Sequence, residues 1–439
     1  LNNALQIALA LGSVAVLLGL MAVVRHLAAL WHIGPEVQRK LVHIGTGLYA
    51  IMLPWLFPDR WPIYMLVGLT LLVMLVLRLP NSGLGRTLHG VERQSYGDFL
   101  LAISVGLCLF LAEDQIFLYV LPIAVLTLAD AAAALAGSTY GTRFFKIEEG
   151  EKSIEGSTVF FAVTLLIAIL CLMLMTGLPP LNIIVLSVMV AAFGTFVEAV
   201  SWRGFDNMFL PLGLLIFLAV HANDPLPDLL ALASFFATCI VAFKLVAPQL
   251  GLTAHAARVY VTAVFLVIAV TAIQNAIFPI LVLAAHAWSR TTTPSQSQYP
   301  DLDIVVGLAM ISFGWLVLGN ATQWNAVSFY GMTAMGLMLG FCALAVTGQR
   351  VLVRVITLTA IVAGACLLRM IILQLNPDGT NWNGMMWPAV AGMAMLTLGL
   401  PSLWPVAFAQ ARVAKLTLLA LAPPLVTYLH AIYSAGVLY

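Results

Sequence analysis

Uninterrupted apolar runs recur from one end of this sequence to the other, and no other feature constrains its fold as tightly. They lie at 4–24, 41–57, 61–79, 97–112, 116–137, 157–176, 181–200 and 207–220. They continue at 228–247, 257–288, 304–320, 326–346, 351–375, 385–400 and 414–437, with a short piece near 401–411. A bilayer offers no water to backbone N–H and C=O groups, so such runs satisfy them internally as helices. A span needs about 20 residues, which makes the expected fold all-α, a polytopic transmembrane helical bundle of about 14–15 spans. Composition agrees, with 62% hydrophobic and 8% charged residues against roughly 25% charged in a soluble domain. A formal net charge of +1 excludes the basic surface a nucleic-acid binder requires. The five cysteines, Cys108, Cys171, Cys239, Cys342 and Cys366, show no metal-type spacing and read as small core residues. The first run lacks a basic leader and reads as a retained span.

Cytoplasmic loops of membrane proteins carry the excess of Lys and Arg. Arg25, Arg39 and Lys40 follow the first run, Arg78, Arg86 and Arg93 the third, Arg143, Lys146 and Lys152 the fifth, and Arg203 the seventh. These four loops are expected on the cytoplasmic face, where they are able to form one site. In the second half the basic residues share a side only if the 257–288 run is a hairpin, broken near Gln274, Asn275 and Pro279. Residues 1–220 hold thirteen of the eighteen acidic residues, which places the expected chemistry there. Residues 221–439 read as an additional transmembrane helical domain whose few charges, intramembrane Arg369 included, offer no catalytic constellation. The long polar stretch at 291–303 reads as an exposed loop.

Four groups of residues need a reason. Asp130 lies about 21 Å along its run, where an uncompensated carboxylate is costly. The small residues Ala131–Ala134, Ala136 and Gly137 follow it, and allow close approach of a helix or a ligand. The next loop combines Gly137, Gly141, Gly150 and Gly156 with Lys152, Ser153, Glu155 and Ser157. Glycines expose backbone N–H groups, and a helix starting near Ser157 adds its positive end, so the loop is a candidate phosphate cradle. It holds no P-loop motif. Glu198, Asp206 and Asn207 sit at helix ends on the face Asp130 approaches, and hard cations such as Mg²⁺ bridge oxygens of this kind to phosphates. Arg39, Lys40 and His43 stand at the entrance of the second run, spaced to share a helix face.

The segments RKLVHIGTG at 39–47, D-x-x-A-x-x-x-G at Asp130, Ala133 and Gly137, KSIEGS at 152–157 and VEAVSWRGFDNMFLPL at 197–212 resemble, in order, motifs of the phytol kinase and dolichol kinase family. That resemblance covers about residues 35–220. It implies a kinase-like membrane domain over residues 1–220 that phosphorylates an isoprenoid alcohol, with CTP as donor and Mg²⁺ as cofactor. It implies a nucleotide site holding Asp130, Gly137, Lys152, Glu155 and Gly156, joined by Arg39, Lys40, Gly141, Ser153 and Ser157, with Glu198, Asp206 and Asn207 near the phosphates or metal. Asp130, Lys152 and His43 are the expected catalytic groups, and a carboxylate or His43 accepts the alcohol proton. The SWRGF stretch between Glu198 and Asp206 departs from the more acidic or hydroxylated pattern of phytol kinases.

The implied partners are a lipid alcohol, a nucleoside triphosphate and membrane lipids, and a homo-oligomer is compatible with them. Two other readings of the same residues remain open. One is a cytidylyltransferase that makes a CDP-lipid, using the same donor with attack at the α-phosphorus. The other is a secondary transporter, supported by the number of spans and buried Asp130, although no paired broken helices mark two matching halves.

Overall fold

The computed structural model describes residues 2–78, 97–148, 150–249, 252–376 and 384–436. Arg86 and Arg93 of the second basic loop lie outside them. Among the described residues nine helices are long and apolar enough to cross a membrane, and five further apolar helices are shorter. The protein is an all-helical integral membrane protein, and it divides into two compact units, Leu1–Gly251 and Leu252–Tyr439.

In the first unit the helices are α1 (Asn3–Leu30), α2 (Pro35–Leu56), α3 (Trp61–Arg78), α4 (Gly97–Leu111) and α5 (Ile116–Ala124). A π turn, Val125–Ala129, joins α5 to α6 (Asp130–Tyr140). Then come strands β1 (Phe144–Ile147) and β2 (Gly150–Ser153), and helices α7 (Ile154–Met175), α8 (Pro180–Ala199), α9 (Asp206–His221) and α10 (Leu226–Val246). Local chemistry sets the helix starts. Asn2 caps α1 by accepting from the Leu5 N–H at 2.8 Å, and Ser153 caps α7 by accepting from the Gly156 N–H at 3.0 Å. Proline at the first turn opens α2 and α8. The continuous stretch Ile116–Tyr140 is the most enclosed candidate span of this unit, so Asp130 lies at its centre.

The antiparallel hairpin β1–β2 pairs Phe144 with Ser153 and Phe145 with Lys152. The segment expected as a loop is thus a two-stranded hairpin. Successive side chains of a strand point to opposite faces, so the hairpin separates Lys152 from the neighbouring cap residue Ser153. Gly150, at φ 137°, supplies a backbone conformation closed to other residues.

The second unit comprises α11 (Ala254–Val270), α12 (Ile277–Thr292), α13 (Pro300–Thr322), α14 (Val327–Ala345), α15 (Val351–Leu375), α16 (Trp387–Leu403) and α17 (Arg412–Ser434). Its centre is α14, where a Cβ added at Gly340 would lie 2.8 Å from Leu416 Cδ2. The 257–288 run breaks at the short turn Ile273–Ala276. Tyr260 and His286 bond the same atom, Asp301 Oδ1, at 3.1 and 3.2 Å. A straight helix would hold those residues about 39 Å apart, so α11 and α12 form a hairpin. The piece near 401–411 is a 3₁₀ turn, Pro405–Phe408.

Asp301 also accepts from Arg290 through Oδ2, and so ties α11, α12 and α13 together. Arg290 reaches the buried carboxylate from an exposed position, and leaving the buried donors Tyr260 and His286 without their acceptor costs about 1–3 kcal/mol. Asp301→Ala is therefore expected to lower the temperature at which buried Cys342 of α14 becomes reactive, measured with a thiol probe in a chain keeping Cys342 alone. Unchanged reactivity would show that the network does not hold this unit together.

Candidate functional site

Helix α2 presents Lys40, His43 and Gly47 along one face, as spacings of three and four residues dictate. Lys40 is buried and donates from Nζ to Asp130 Oδ2 at 2.6 Å. Arg39, one residue earlier, is exposed, so the two basic neighbours take different environments. His43 Nε2 lies 3.2 Å from the Leu126 carbonyl and 3.8 Å from Asp130 Oδ2. A carbonyl only accepts, so His43 carries its proton on Nε2 and donates.

Leu126 belongs to the π turn, a device that inserts one residue into a helix and turns the face that follows. Pro122, which lacks an N–H, precedes that turn within α5. Gly47 lets α2 approach it: a Cβ there would collide with Thr127 Oγ1 and lie 2.5 Å from its Cγ2. Thr127 Oγ1 is buried without a hydrogen-bond partner among the described residues. Overpacking of this kind costs about 1–3 kcal/mol. Gly47→Ala is expected to lower both thermal stability and turnover, with Thr127→Ala restoring only part of each, because the Thr127 Cβ itself would lie 2.8 Å from the added Cβ. A Gly47→Ala protein as stable as wild type would contradict this contact.

The hairpin carries Lys152 to a second carboxylate. Its Nζ donates to Glu198 Oε1 at 2.6 Å, to Ser201 Oγ at 2.8 Å and to the Glu198 carbonyl. Those are all three donors of an ammonium group. Glu198 is buried near the end of α8, and Ser201 follows it by three residues. Lys152 also acts electrostatically on Asp130, alongside Lys40 and His43. The two lysine–carboxylate pairs lie on adjoining elements, Lys152 just before α7 and Asp130 at the start of α6, and their formal charges cancel. Asp130 Oδ1 and Glu198 Oε2 engage no described residue.

The remaining candidates divide by contact. Gly137 and Gly156 mark a close crossing of α6 and α7: a Cβ at Gly156 would lie 2.9 Å from the Ala133 carbonyl oxygen and 3.3 Å from Gly137 Cα. A Cβ at Gly141 would lie 3.1 Å from Ser153 Cβ. Glu155 turns away from the lysines, accepting from Thr142 Oγ1 at 2.5 Å and from the Arg143 N–H at 3.2 Å, and so fixes the start of the hairpin. Ser157 Oγ is buried without a hydrogen-bond partner. Asn207 donates to the Gly97 carbonyl at 2.8 Å, joining α9 to α4. Asp206 opens α9, half-buried, and forms no hydrogen bond or ion pair with the described residues. Sequence reasoning missed Ser201, the Leu126 carbonyl and the Gly47–Thr127 contact. Of these, only Ser201 left a signal, its position one helical turn beyond Glu198.

No family model and no solved structure matches the chain. The chain is 30% identical over 220 residues to the phytol kinase of Synechocystis sp., an alignment covering 48% of this chain and 92% of that protein.

Proposed function

The chain belongs to the phytol kinase family, and on that premise we propose that it transfers the γ-phosphoryl group of CTP to an isoprenoid alcohol of the phytol, geranylgeraniol or polyprenol type. The observation that carries this reading is a pair of lysine–carboxylate contacts, each at 2.6 Å, the Lys40–Asp130 pair buried and the Lys152–Glu198 pair half-buried, in an integral membrane protein. Phosphoryl transfer passes through a loose transition state, so catalysis is mainly positioning and neutralisation of phosphate charge. Lys40 and Lys152 are the cations for that work. Lys152 has no spare donor, so it meets a phosphate oxygen by exchanging one of its present acceptors. The basic loops support a nucleotide arriving from the cytoplasmic face, and the alcohol enters sideways from the bilayer.

A divalent cation fits these residues in one form. Among the described residues no group of three or more His, Cys, Asp and Glu is placed to hold a metal, so they form no all-protein cage. Mg²⁺ usually takes one or two carboxylates together with phosphate oxygens and water, and Asp130 Oδ1 and Glu198 Oε2 are available for this. When bound with the nucleotide, it would neutralise charge on the phosphate oxygens. The alcohol proton goes to a carboxylate, with Asp130 Oδ1 the acceptor we favour, in which case Glu198 Oε2 holds the cation, while His43 Nε2 is engaged by the Leu126 carbonyl. His43 positions the π turn and with it Asp130.

Purified protein supplied with Mg²⁺, phytol or geranylgeraniol, and CTP, UTP or ATP in separate reactions tests this reading. The expected product, found by mass spectrometry, is the alcohol monophosphate, most abundant with CTP. An absence of phosphorylated alcohol with every donor would overturn the proposal.

A further inference from the structure

Three cations of the second unit, Arg354, Arg412 and Lys415, donate to backbone carbonyls at or beside one short turn, and none of them forms an ion pair among the described residues. Arg354, one turn into α15, donates from Nη2 to the Ser402 carbonyl at 2.6 Å. Lys415, one turn into α17, donates to the Ala407 carbonyl at 2.6 Å. Arg412, the first residue of α17, donates from Nε to the Phe408 carbonyl at 3.1 Å and from Nη2 to the Pro294 carbonyl at 2.9 Å. Carbonyl oxygens accept these bonds but leave three formal charges uncompensated. The segment that carries Pro294 brings Asp301 and Asp303 towards this turn, but Asp301 is taken by Tyr260, His286 and Arg290 and Asp303 accepts from Ser297. Between residues 304 and 436 the sequence holds a single acidic residue, Asp378, which lies outside the described residues.

The helices add to the imbalance. A helix N-terminus carries partial positive charge and favours anions, yet neither α15 nor α17 has an acid in its first turn or a side-chain cap. Arg412 is 3% exposed, and its Nη1 is buried with no hydrogen-bond partner among the described residues. An unsatisfied charged donor is among the costlier features a fold retains. The outer side of the same turn is apolar, with Trp404 60% and Val406 85% exposed. Tryptophan is enriched at the boundary between headgroups and acyl chains. A cation that only fixes topology requires neither burial nor convergence with others on one turn.

We propose that the turn from Ser402 to Lys415 binds the phosphate group of an anionic membrane lipid. Arg354, Arg412, Lys415 and the first N–H groups of α17 are its donors, and Trp404 and Val406 rest at the acyl boundary. This site is independent of the phosphoryl-transfer reading.

The test uses full-length protein in nanodiscs of equimolar phosphatidylcholine and phosphatidylglycerol, followed by extraction and native mass spectrometry of retained lipid. Wild type is expected to retain phosphatidylglycerol in preference to phosphatidylcholine. Arg354→Gln with Lys415→Gln, both outside the buried network of Arg412, is expected to lower that retention about tenfold or more. Arg25→Gln with Lys244→Gln, exposed residues of the first unit, removes the same charge and is expected to leave retention unchanged. Equal retention of the two lipids by wild type, or an equal loss in both double variants, would overturn the proposal. Displacement of phosphatidylglycerol by millimolar inorganic phosphate would identify soluble phosphate as the ligand and overturn the lipid assignment.

Discussion

Asp130→Asn protein is expected to assemble in the membrane and to turn over about 10³-fold more slowly than wild type. Two losses combine. The amide oxygen is a poor proton acceptor and a weak ligand for a cation, and the substitution leaves Lys40 charged and buried beside a neutral group. The second loss is one of stability, since an uncompensated buried charge costs about 3–5 kcal/mol. Lys40→Met in the same chain separates the two. The double variant is expected to regain the melting temperature while remaining inactive, because restoring the charge balance does not restore the acceptor. Wild-type turnover in Asp130→Asn, or recovery of activity with stability, would remove Asp130 from the chemistry.

Lys152→Gln is expected to reduce kcat/KM for the nucleotide by about 10²- to 10³-fold, the usual cost of one electrostatic stabiliser. Lys152→Arg is expected to fail as a replacement. The Glu198 carbonyl, Glu198 Oε1 and Ser201 Oγ surround a single ammonium nitrogen, whereas guanidinium presents a planar fork. Glu198→Gln has a different signature. It weakens the hold on Lys152 and lowers the negative charge facing a triphosphate, so nucleotide without Mg²⁺ is expected to bind more tightly than to wild type. Titration of a fluorescent CTP analogue in chelator measures this, and weaker binding in Glu198→Gln would contradict the exchange of Lys152 between carboxylate and phosphate.

The helical architecture was legible because hydrocarbon tolerates few alternatives: a run such as 157–176 has one way to satisfy its backbone. Asp130 and Lys152 stood out for the same reason, as charges in or beside apolar runs that need compensation. Partner identity was not legible. Lys40 meets Asp130 across ninety residues, a contact that depends on the π turn and on the absence of a side chain at Gly47, and neither feature has a local signature. Glycine identity was visible but its use was not, since Gly137 and Gly156 serve a helix crossing that also looks like a flexible loop in sequence. The Asp301 network escaped notice because Tyr260, His286, Arg290 and Asp301 come together only once the 257–288 run folds back. Ordinary topology signals concealed the Arg354, Arg412 and Lys415 cluster, which reads in sequence as scattered basic ends.

Transfer of a γ-phosphoryl group to an isoprenoid alcohol at the Asp130 and Lys152 site is tested with purified protein supplied with Mg²⁺, geranylgeraniol and its monophosphate, and CTP labelled in parallel at the γ- or the α-phosphorus. The expected result is γ label in the lipid fraction, no α label, and neither in the Asp130→Asn/Lys40→Met protein. Label from the α position would instead identify a cytidylyltransferase, and γ transfer that persists in the double variant would place the chemistry elsewhere in the chain.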